Sequence, residues 1–559
     1  MKFSVCFLAI STLFTQVVFG QTPDFSWAVS GVAGSAKVVV DNDQNSIVTG
    51  NFFITGTFGP GLEYSDIQSK GSYDIFIEKL DSNGALVWLY ILGSSESEMV
   101  EGIATDLNGN IYLTGSFWGV VDVDFGEGVY EITPTEGFDD IFVLKLNPNG
   151  EFLWVKTMGS YTFDSGSVIK VDAQENVYLA GQFGHYLNDM DPGSGEYVAE
   201  YFGSYSDVFL MKLDAQGTFL WLSSLGGDES DWINDIAIDN SGNVYTTGGF
   251  TGTAECSCDT TFVSNGSRDV FVQKFTSNGD LEWGYSFGSA QLDDGQVIQV
   301  DENGDVLVAG NFFGTLDLDP GLQISEFTSH GGDIFLQKLT SEGSLIWVKT
   351  IGGNGLDHIT DLTIDQSNNL YITGTFSGQI NLGTNANPNI FNSIGIENAF
   401  VQKMDNNGNP LWGMTVPVYS KSGTIEVDEL ANTYVTGEFR APNDFDPNAE
   451  KFMIYKGNYF VMRLGFPTNH IKWDDPFYYP INEIKLSPNP TSTNIVITQL
   501  ATADLSIEVL DYLGRTVQRI NSSELTTKVE LENFSAGIYW FRIAYYDTVL
   551  VQQIIKTND

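Results

Sequence analysis

Four acidic phrases are the first candidates for chemistry: Asp122-Val123-Asp124-Phe125-Gly126, Asp189-Met190-Asp191-Pro192-Gly193, Asp317-Leu318-Asp319-Pro320-Gly321 and Asp444-Phe445-Asp446-Pro447. Carboxylates at i and i+2 of an extended segment lie on the same side, here just ahead of a sharp turn. With backbone carbonyls, such a pair could hold calcium, a hard cation that takes oxygen ligands. The full twelve-residue calcium loop with its distant Glu is absent. Asp before Pro-Gly is also ordinary turn chemistry, the side chain bonding the backbone ahead. Turn and metal site are both open readings.

A second acidic set comprises Glu96, Glu98, Glu101, Asp164, Asp228, Glu229, Asp231, Asp293, Asp294 and Asp357. Together with the paired aspartates it would make one face strongly negative. Such a face suits cationic or calcium-bridged partners. It also suits polyhydroxylated glycans, met by carboxylates and exposed aromatics. Asp228, Glu229, Asp231, Trp118 and Trp232 are the candidate ligand residues. The plainer alternative is a set of solvated loop acids.

Catalysis finds little support. The four histidines, His185, His330, His358 and His470, have no metal-ligand spacing. No nucleophile motif frames a serine, and no glycine loop of the phosphate-binding type opens a helix. A carboxylate pair for glycoside hydrolysis stays open, because spatial separation cannot be read from a sequence so rich in Asp and Glu. We expect no enzyme; an extracellular polysaccharide hydrolase or lyase is the alternative. The net charge of −47 excludes nucleic-acid backbones as partners, since these need clustered Lys and Arg. Cys256 and Cys258 enclose a single serine. A bond across one residue would be strained, and two thiols make a poor zinc site. The pair is expected to have no function.

The elements that carry these residues repeat. Asp-Ile/Val-Phe-x-x-Lys, or a weathered copy, recurs at Phe76, Phe142, Phe209, Phe271, Phe335, Phe400 and Phe460, about every 64 residues. The last two copies read Asn398-Ala399-Phe400 and Asn458-Tyr459-Phe460, with Arg463 in place of Lys. A Trp, Asp-x-x-Gly-Asn and Tyr-x-Thr-Gly-x-Phe precede the phrase in fixed order. The second unit shows four strand-like runs: Gly102 to Asp106, Asn110 to Gly115, Asp140 to Lys145, and one centred on Phe152 to Trp154. Asn-Gly-type turns join them as antiparallel hairpins. Four-stranded sheets repeated radially make a β-propeller, here of seven blades. Tight turns one-to-two and three-to-four share one face. The longer two-to-three loops and the links between repeats share the other, where binding residues concentrate.

The repeat resembles the bacterial seven-bladed β-propeller repeat family, through Gly226-Gly227, Asp239 to Gly248 and Asp269 to Lys274. The resemblance covers about residues 27 to 473 and implies the fold, with no common enzymatic activity. Eight tryptophans, at 27, 88, 154, 221, 283, 347, 412 and 473, accompany seven Phe phrases. We expect them to be packing anchors, and the segment around Trp27 to complete the final blade, with Trp473 as the alternative.

Both ends carry addresses. Lys2, the apolar stretch Phe3 to Leu13, and Val18-Phe19-Gly20 read as a signal peptide over residues 1–20. That stretch is too short to cross a bilayer, and no transmembrane segment is expected. Residues 21–473 form the propeller and 474–483 a linker with Pro476 and Pro480. From 484 to 559 a different all-β pattern suits a small β-sandwich. This tail resembles the carboxy-terminal sorting domain of the type IX secretion system of Bacteroidota. Ser487-Pro488-Asn489-Pro490, Leu510 to Arg515, Ser535 to Tyr539 and Val551 to Lys556 carry the match. The resemblance implies the type IX secretion machinery as partner and the exterior of a Gram-negative outer membrane as destination, released or surface-fixed. The expectation is therefore an all-β, secreted or cell-surface binding or scaffold module of adhesion type. Extracellular glycans or surface proteins are its candidate partners, and calcium its one candidate cofactor.

Overall fold

The computed structural model describes residues 24–465, apart from 32, 35, 60–63, 136–137, 185–188, 204, 322, 385, 417–419, 441–442, 446–451 and 455–456, and in the tail 484–487, 494–499, 505–510, 516–522, 526–531, 534–535, 537–545 and 548–556. The signal segment, the linker, Asp446, His185, His470 and Trp473 lie outside the described residues. Every regular element among the described residues is a strand. No helix there is long and apolar enough to cross a membrane.

In the second repeat, Glu98–Thr105, Ile111–Phe117, Asp140–Leu146 and Phe152–Met158 pair antiparallel in chain order. Equivalent sheets begin at Ala36–Val40, Ser165–Val171, Trp232–Ile238, Asp294–Val300, Asp357–Ile364 and Ser420–Val427. Each of these first strands contacts the next in sequence order, and Ser420–Val427 contacts Ala36–Val40, so the series closes on itself. Closure uses both ends of this region. Asp24–Gly31 pairs antiparallel with Tyr459–Gly465, which sets Trp27 opposite Arg463. Burying Trp27 to 1% exposure gives this strand its apolar driving force.

One repeat unit explains the recurring phrases. Asp106 Oδ1 accepts the backbone N–H of Asn108 and of Asn110, both at 2.9 Å. Its Oδ2 accepts Asn110 Nδ2 at 2.7 Å and the Tyr112 hydroxyl at 3.0 Å. Lys145 Nζ sits 3.8 Å from the same carboxylate and over the Tyr112 ring. Asp-x-x-Gly-Asn, the Tyr phrase and the Phe-phrase lysine therefore meet at one buried point. The tryptophans join neighbouring sheets. Indole Nε1 of Trp27, Trp221, Trp283 and Trp347 donates to the carbonyls of Ser82, Ser277, Ser341 and Asn406, each in the three-to-four turn of the next sheet.

Two hairpins outrun their sheets, the first being Ser46–Phe58 with Tyr64–Leu80. In the second, Val244–Cys256 and Thr260–Phe275 extend far beyond their sheet, and Ala254 to Cys256 pair with Leu225 to Gly227 of the preceding one. At its tip Cys256 and Cys258 form a disulfide across a single serine. The tight turn that ends the hairpin brings their Cα atoms to 4.9 Å, inside the range a disulfide spans.

The tail forms two antiparallel sheets, one of Ile484–Ser487, Asn494–Gln499 and Thr526–Glu530, the other of Thr516–Ser522, Leu505–Leu510, Gly537–Tyr545 and Thr548–Lys556. Residues of both sheets, among them Ile495, Val529, Ile507 and Phe541, share one buried cluster.

Candidate functional site

The paired aspartates are turned onto their own loops. Asp122 Oδ1 accepts the N–H of Asp124 at 3.1 Å and of Tyr130 at 2.9 Å. Asp189 does the same for Asp191 and Tyr197, and Asp317 for Asp319 and Ser325. Asp444 accepts the N–H of Phe452. The second members, Asp124, Asp191 and Asp319, accept the N–H of Gly126, Gly193 and Gly321. Another repeat makes the same turn without a carboxylate. Asn381 accepts from Gly383 and Asn389, both at 3.0 Å, with no charge at all. Among the described residues no three His, Cys, Asp or Glu side chains are grouped to hold a metal. The geometry is that of turn formers. Asp317→Asn is expected to keep the loop, whereas Asp317→Ala, which strands two N–H groups, should cost about 1–3 kcal/mol in urea unfolding. A chelator should shift neither midpoint; a calcium-dependent midpoint would restore the metal reading.

The link acids depart further from expectation. Glu98, Asp164, Asp231, Asp293 and Asp357 are buried rather than displayed. Four of them accept a backbone N–H of their link: Glu98 from Ser94 at 2.6 Å, Asp164 from Ser160 at 2.7 Å, Asp293 from Ser289 and Asp357 from Gly353 at 2.8 Å; Asp164 also accepts from Gly184 at 2.9 Å. A second buried acid, from the Asp-x-Phe phrase, lies against a glycine of the same link. A Cβ on Gly226 would stand 2.1 Å from the Asp207 carboxyl, and Gly93, Gly159, Gly288 and Gly352 meet Asp74, Asp140, Asp269 and Asp333 alike. Burial, with the charge of Asp231, pushes Asp207 up to about 8. Burial, with Glu229, pushes Asp231 up to about 7, and burial with Asp333 does the same to Asp357. The expected negative face is therefore partly discharged.

Of the candidate ligand residues, Asp228 and Glu229 are exposed and Asp231 is not. Trp118 is 45% exposed, just beyond Ile111–Phe117, and its backbone N–H donates to Ser97. Trp232 is not an open platform. The Arg268 guanidinium covers its ring at 3.8 Å from the centroid and pairs with Asp294 at 2.8 Å. Trp118 belongs to a different sheet from the other four, so sequence proximity did not make one site of them.

A site that sequence reading missed lies on the axis. All seven first strands line a cavity of about 130 Å³. Six of these strands carry a β-bulge, between Val100/Gly102, Gly166/Val168, Ile233/Asp235, Gly295/Val297, Ile359/Asp361 and Ser422/Ile425. A bulge leaves its extra residue outside the ladder and re-aims it. Here the bulges present Glu101, Ser167, Asn234, Gln296, Thr360 and Thr424 to the cavity. Lys37, Lys170, Asp235, Asp361 and Glu426 line it too. Asp235 accepts the N–H of Ile298 at 3.0 Å, and Asp361 that of Ile425 at 2.8 Å, each in the neighbouring sheet. Burial opposes the Lys170 charge, but Asp235, Glu426 and Asp361 outweigh it and hold the ammonium above its ordinary value. At Lys37 burial prevails over Glu101 and the aspartates, and the ammonium is lowered. Burial pushes Glu426 up to about 7 and Asp361 to about 6. The signal was present in sequence as charged residues within β-branched runs, such as Lys170 between Ile169 and Val171.

Residues 485–557 match the family model of a secretion system C-terminal sorting domain. Residues 87–119 and 221–248 match that of a beta-propeller repeat. The chain is a β-propeller protein carrying a type IX sorting tail. That tail marks a secreted or cell-surface protein of the Bacteroidota type. An uncharacterized WD repeat-containing protein, L264, of Acanthamoeba polyphaga mimivirus is 23% identical over 65% of this chain. Regulatory protein FlaEY of Caulobacter vibrioides is 25% identical over 41%. The matched regions span only 32% and 22% of those two relatives. Among solved structures, a fungal alcohol oxidase in complex with copper aligns at TM-score 0.37 and 12% identity, covering 96% of this chain and 100% of that one. PorZ, a surface component of the type-IX secretion system of Porphyromonas gingivalis, aligns at TM-score 0.17 and 10% identity, covering 97% and 99%. Likenesses this remote carry no functional argument.

Proposed function

We propose that residues 21–473 form a seven-bladed β-propeller that serves as an extracellular binding module, joined by 474–483 to a sorting β-sandwich at 484–559. The observation that carries this reading is the joining of an export address to a closed ring whose axis is lined by charged and amide side chains. Rigid repeats with a polar axial cavity suit recognition. The rival hydrolase or lyase needs a carboxylate pair in a groove where a polymer can lie. Glu426 and Asp361, whose carboxyls burial raises to about 7 and about 6, line a cavity of about 130 Å³, which suits a small solute.

The test presents the exported chain to immobilised extracellular polymers and to small solutes, while also monitoring product release. Saturable binding without turnover is the expected result. Polymer cleavage that Glu426→Gln abolishes would replace the binding module by the hydrolase.

A further inference from the structure

We propose that the axial cavity binds a small zwitterion of the α-amino-acid class, its carboxylate on Lys37 and Lys170 and its ammonium on Asp235, Asp361 and Glu426. The inference rests on the binding-module reading and names the ligand class.

The two lysines supply the first argument. Lysines of the Phe phrase are paired: Lys79 with Asp41 at 2.8 Å, Lys274 with Glu282 at 2.8 Å, Lys338 with Asp301 at 2.7 Å. Among the described residues, the Lys37 and Lys170 ammoniums have neither a hydrogen bond nor an ion pair within 4.0 Å, although both line the cavity. Burial lowers the Lys37 ammonium despite the nearby carboxylates, the cost of a charge held away from water without a direct partner, while at Lys170 the acids sustain the charge without a direct bond. A ligand carboxylate would relieve Lys37 and take the N–H donors that both ammoniums leave unused.

The acids supply the second argument. Four carboxylates, Glu101, Asp235, Asp361 and Glu426, share the cavity with the two ammoniums. Asp235 and Asp361 give lone pairs to neighbouring backbone N–H groups, and a carboxylate retains further acceptor capacity beyond those bonds. A simple anion would meet four like charges, and a simple cation two. Only a molecule bearing both signs answers both sets. Size agrees. At the roughly 30 Å³ that a water occupies in the liquid, a cavity of about 130 Å³ replaces about four waters, which suits only the smallest amino acids. Solvent reaches it, because Thr360 lines the cavity and is exposed.

The experiment is calorimetry and thermal melting of the full chain with L-alanine and other common α-amino acids, with acetate and methylammonium as single-charge controls. Saturable binding of one α-amino acid per chain is expected, with both controls at least about tenfold weaker. Lys170→Gln and Lys37→Met should each weaken binding at least about tenfold, with circular dichroism unchanged. If either variant misfolds, Asp361→Asn provides the same test from the ammonium side. Silence of all amino acids up to about 10 mM, acetate binding as tight as L-alanine, or unaltered affinity in the variants would overturn the inference. Polymer binding that persists in Lys170→Gln alongside amino-acid silence removes the cavity inference alone. Loss of every ligand interaction removes the module reading with it.

Discussion

Lys338→Met is expected to lower the unfolding free energy of the ring by about 3–5 kcal/mol, read as a fall in the urea midpoint. Lys338 and Asp301 are 3% and 0% exposed at their side chains and 2.7 Å apart. Lys338 also reaches Asp305 at 3.3 Å and bonds the Asn406 side chain in the next sheet. Asp301 in turn holds its turn closed by accepting the N–H of Asn303 and Asp305. Removing the ammonium leaves a buried carboxylate with its charge uncompensated, which costs far more than the pair itself contributes. A surface comparison, Lys528→Met, removes an ion pair with Glu530 that is 54% exposed on both sides. It should change stability by about 0–1 kcal/mol. Equal effects from the two substitutions would refute the account of Lys338 as the bolt between the turns of its repeat.

Stability is expected to be greatest on the acid side of neutrality and to fall as pH rises toward about 8. Asp207 is pushed up to about 8, Asp231 and Asp357 to about 7, and Asp164 and Asp269 to about 6, burial being the first cause in each. An unfolded aspartate titrates near 3.9, so in this range the folded ring holds protons that the unfolded chain has released. The stabilisation is complete below about pH 4 and is lost progressively above it, each group's loss ending once it has ionised in the fold between about 6 and 8. Asp41 and Asp365 act oppositely: burial raises each, but hydrogen bonds and a neighbouring lysine outweigh it and hold both below the ordinary value. Their contribution is lost as pH falls below about 4. An optimum between about pH 4 and 6 follows, and urea midpoints at about pH 5, 6.5 and 8 check it. Asn398 already occupies the Asp207 position in another repeat, its Oδ1 accepting the N–H of Ile394 and its Nδ2 donating to Val416. Asp207→Asn should therefore be neutral near pH 4, add about 1 kcal/mol near pH 5 and add more near pH 8. Midpoints that rise with pH would mean that these acids ionise without penalty.

The repeat was legible because local rules agree with one another in it. Asp-x-x-Gly-Asn closes a turn wherever it occurs, as at Asp106 and Asp239, and four β-rich runs with such turns can only meander into a sheet. The excess of one tryptophan showed that an end strand completes the last sheet, and the pairing of Asp24–Gly31 with Tyr459–Gly465 places Trp27 there. The sorting tail was legible from ordered phrases, now matched over 485–557. Asp231 was not legible. A link acid and a solvated loop acid have the same sequence neighbourhood, and only the approach of Gly227 and of Thr251, in the strand Val244–Cys256, buries it. Trp232 likewise read as free until Arg268, from another strand, covered its ring.

By itself the sequence determined the repeat, its strands and turns, the partnering of neighbouring phrases, and the export address, because each depends on residues close in the chain or recurring at a fixed period. Tertiary structure alone decided which acids face solvent, that Cys256 and Cys258 meet, and that the axis holds charges of both signs. Lys37, Glu101, Lys170, Asp235, Asp361 and Glu426 lie in different repeats, separated by up to 389 residues, and they share one cavity only because six bulged first strands and one unbulged strand close around a common axis.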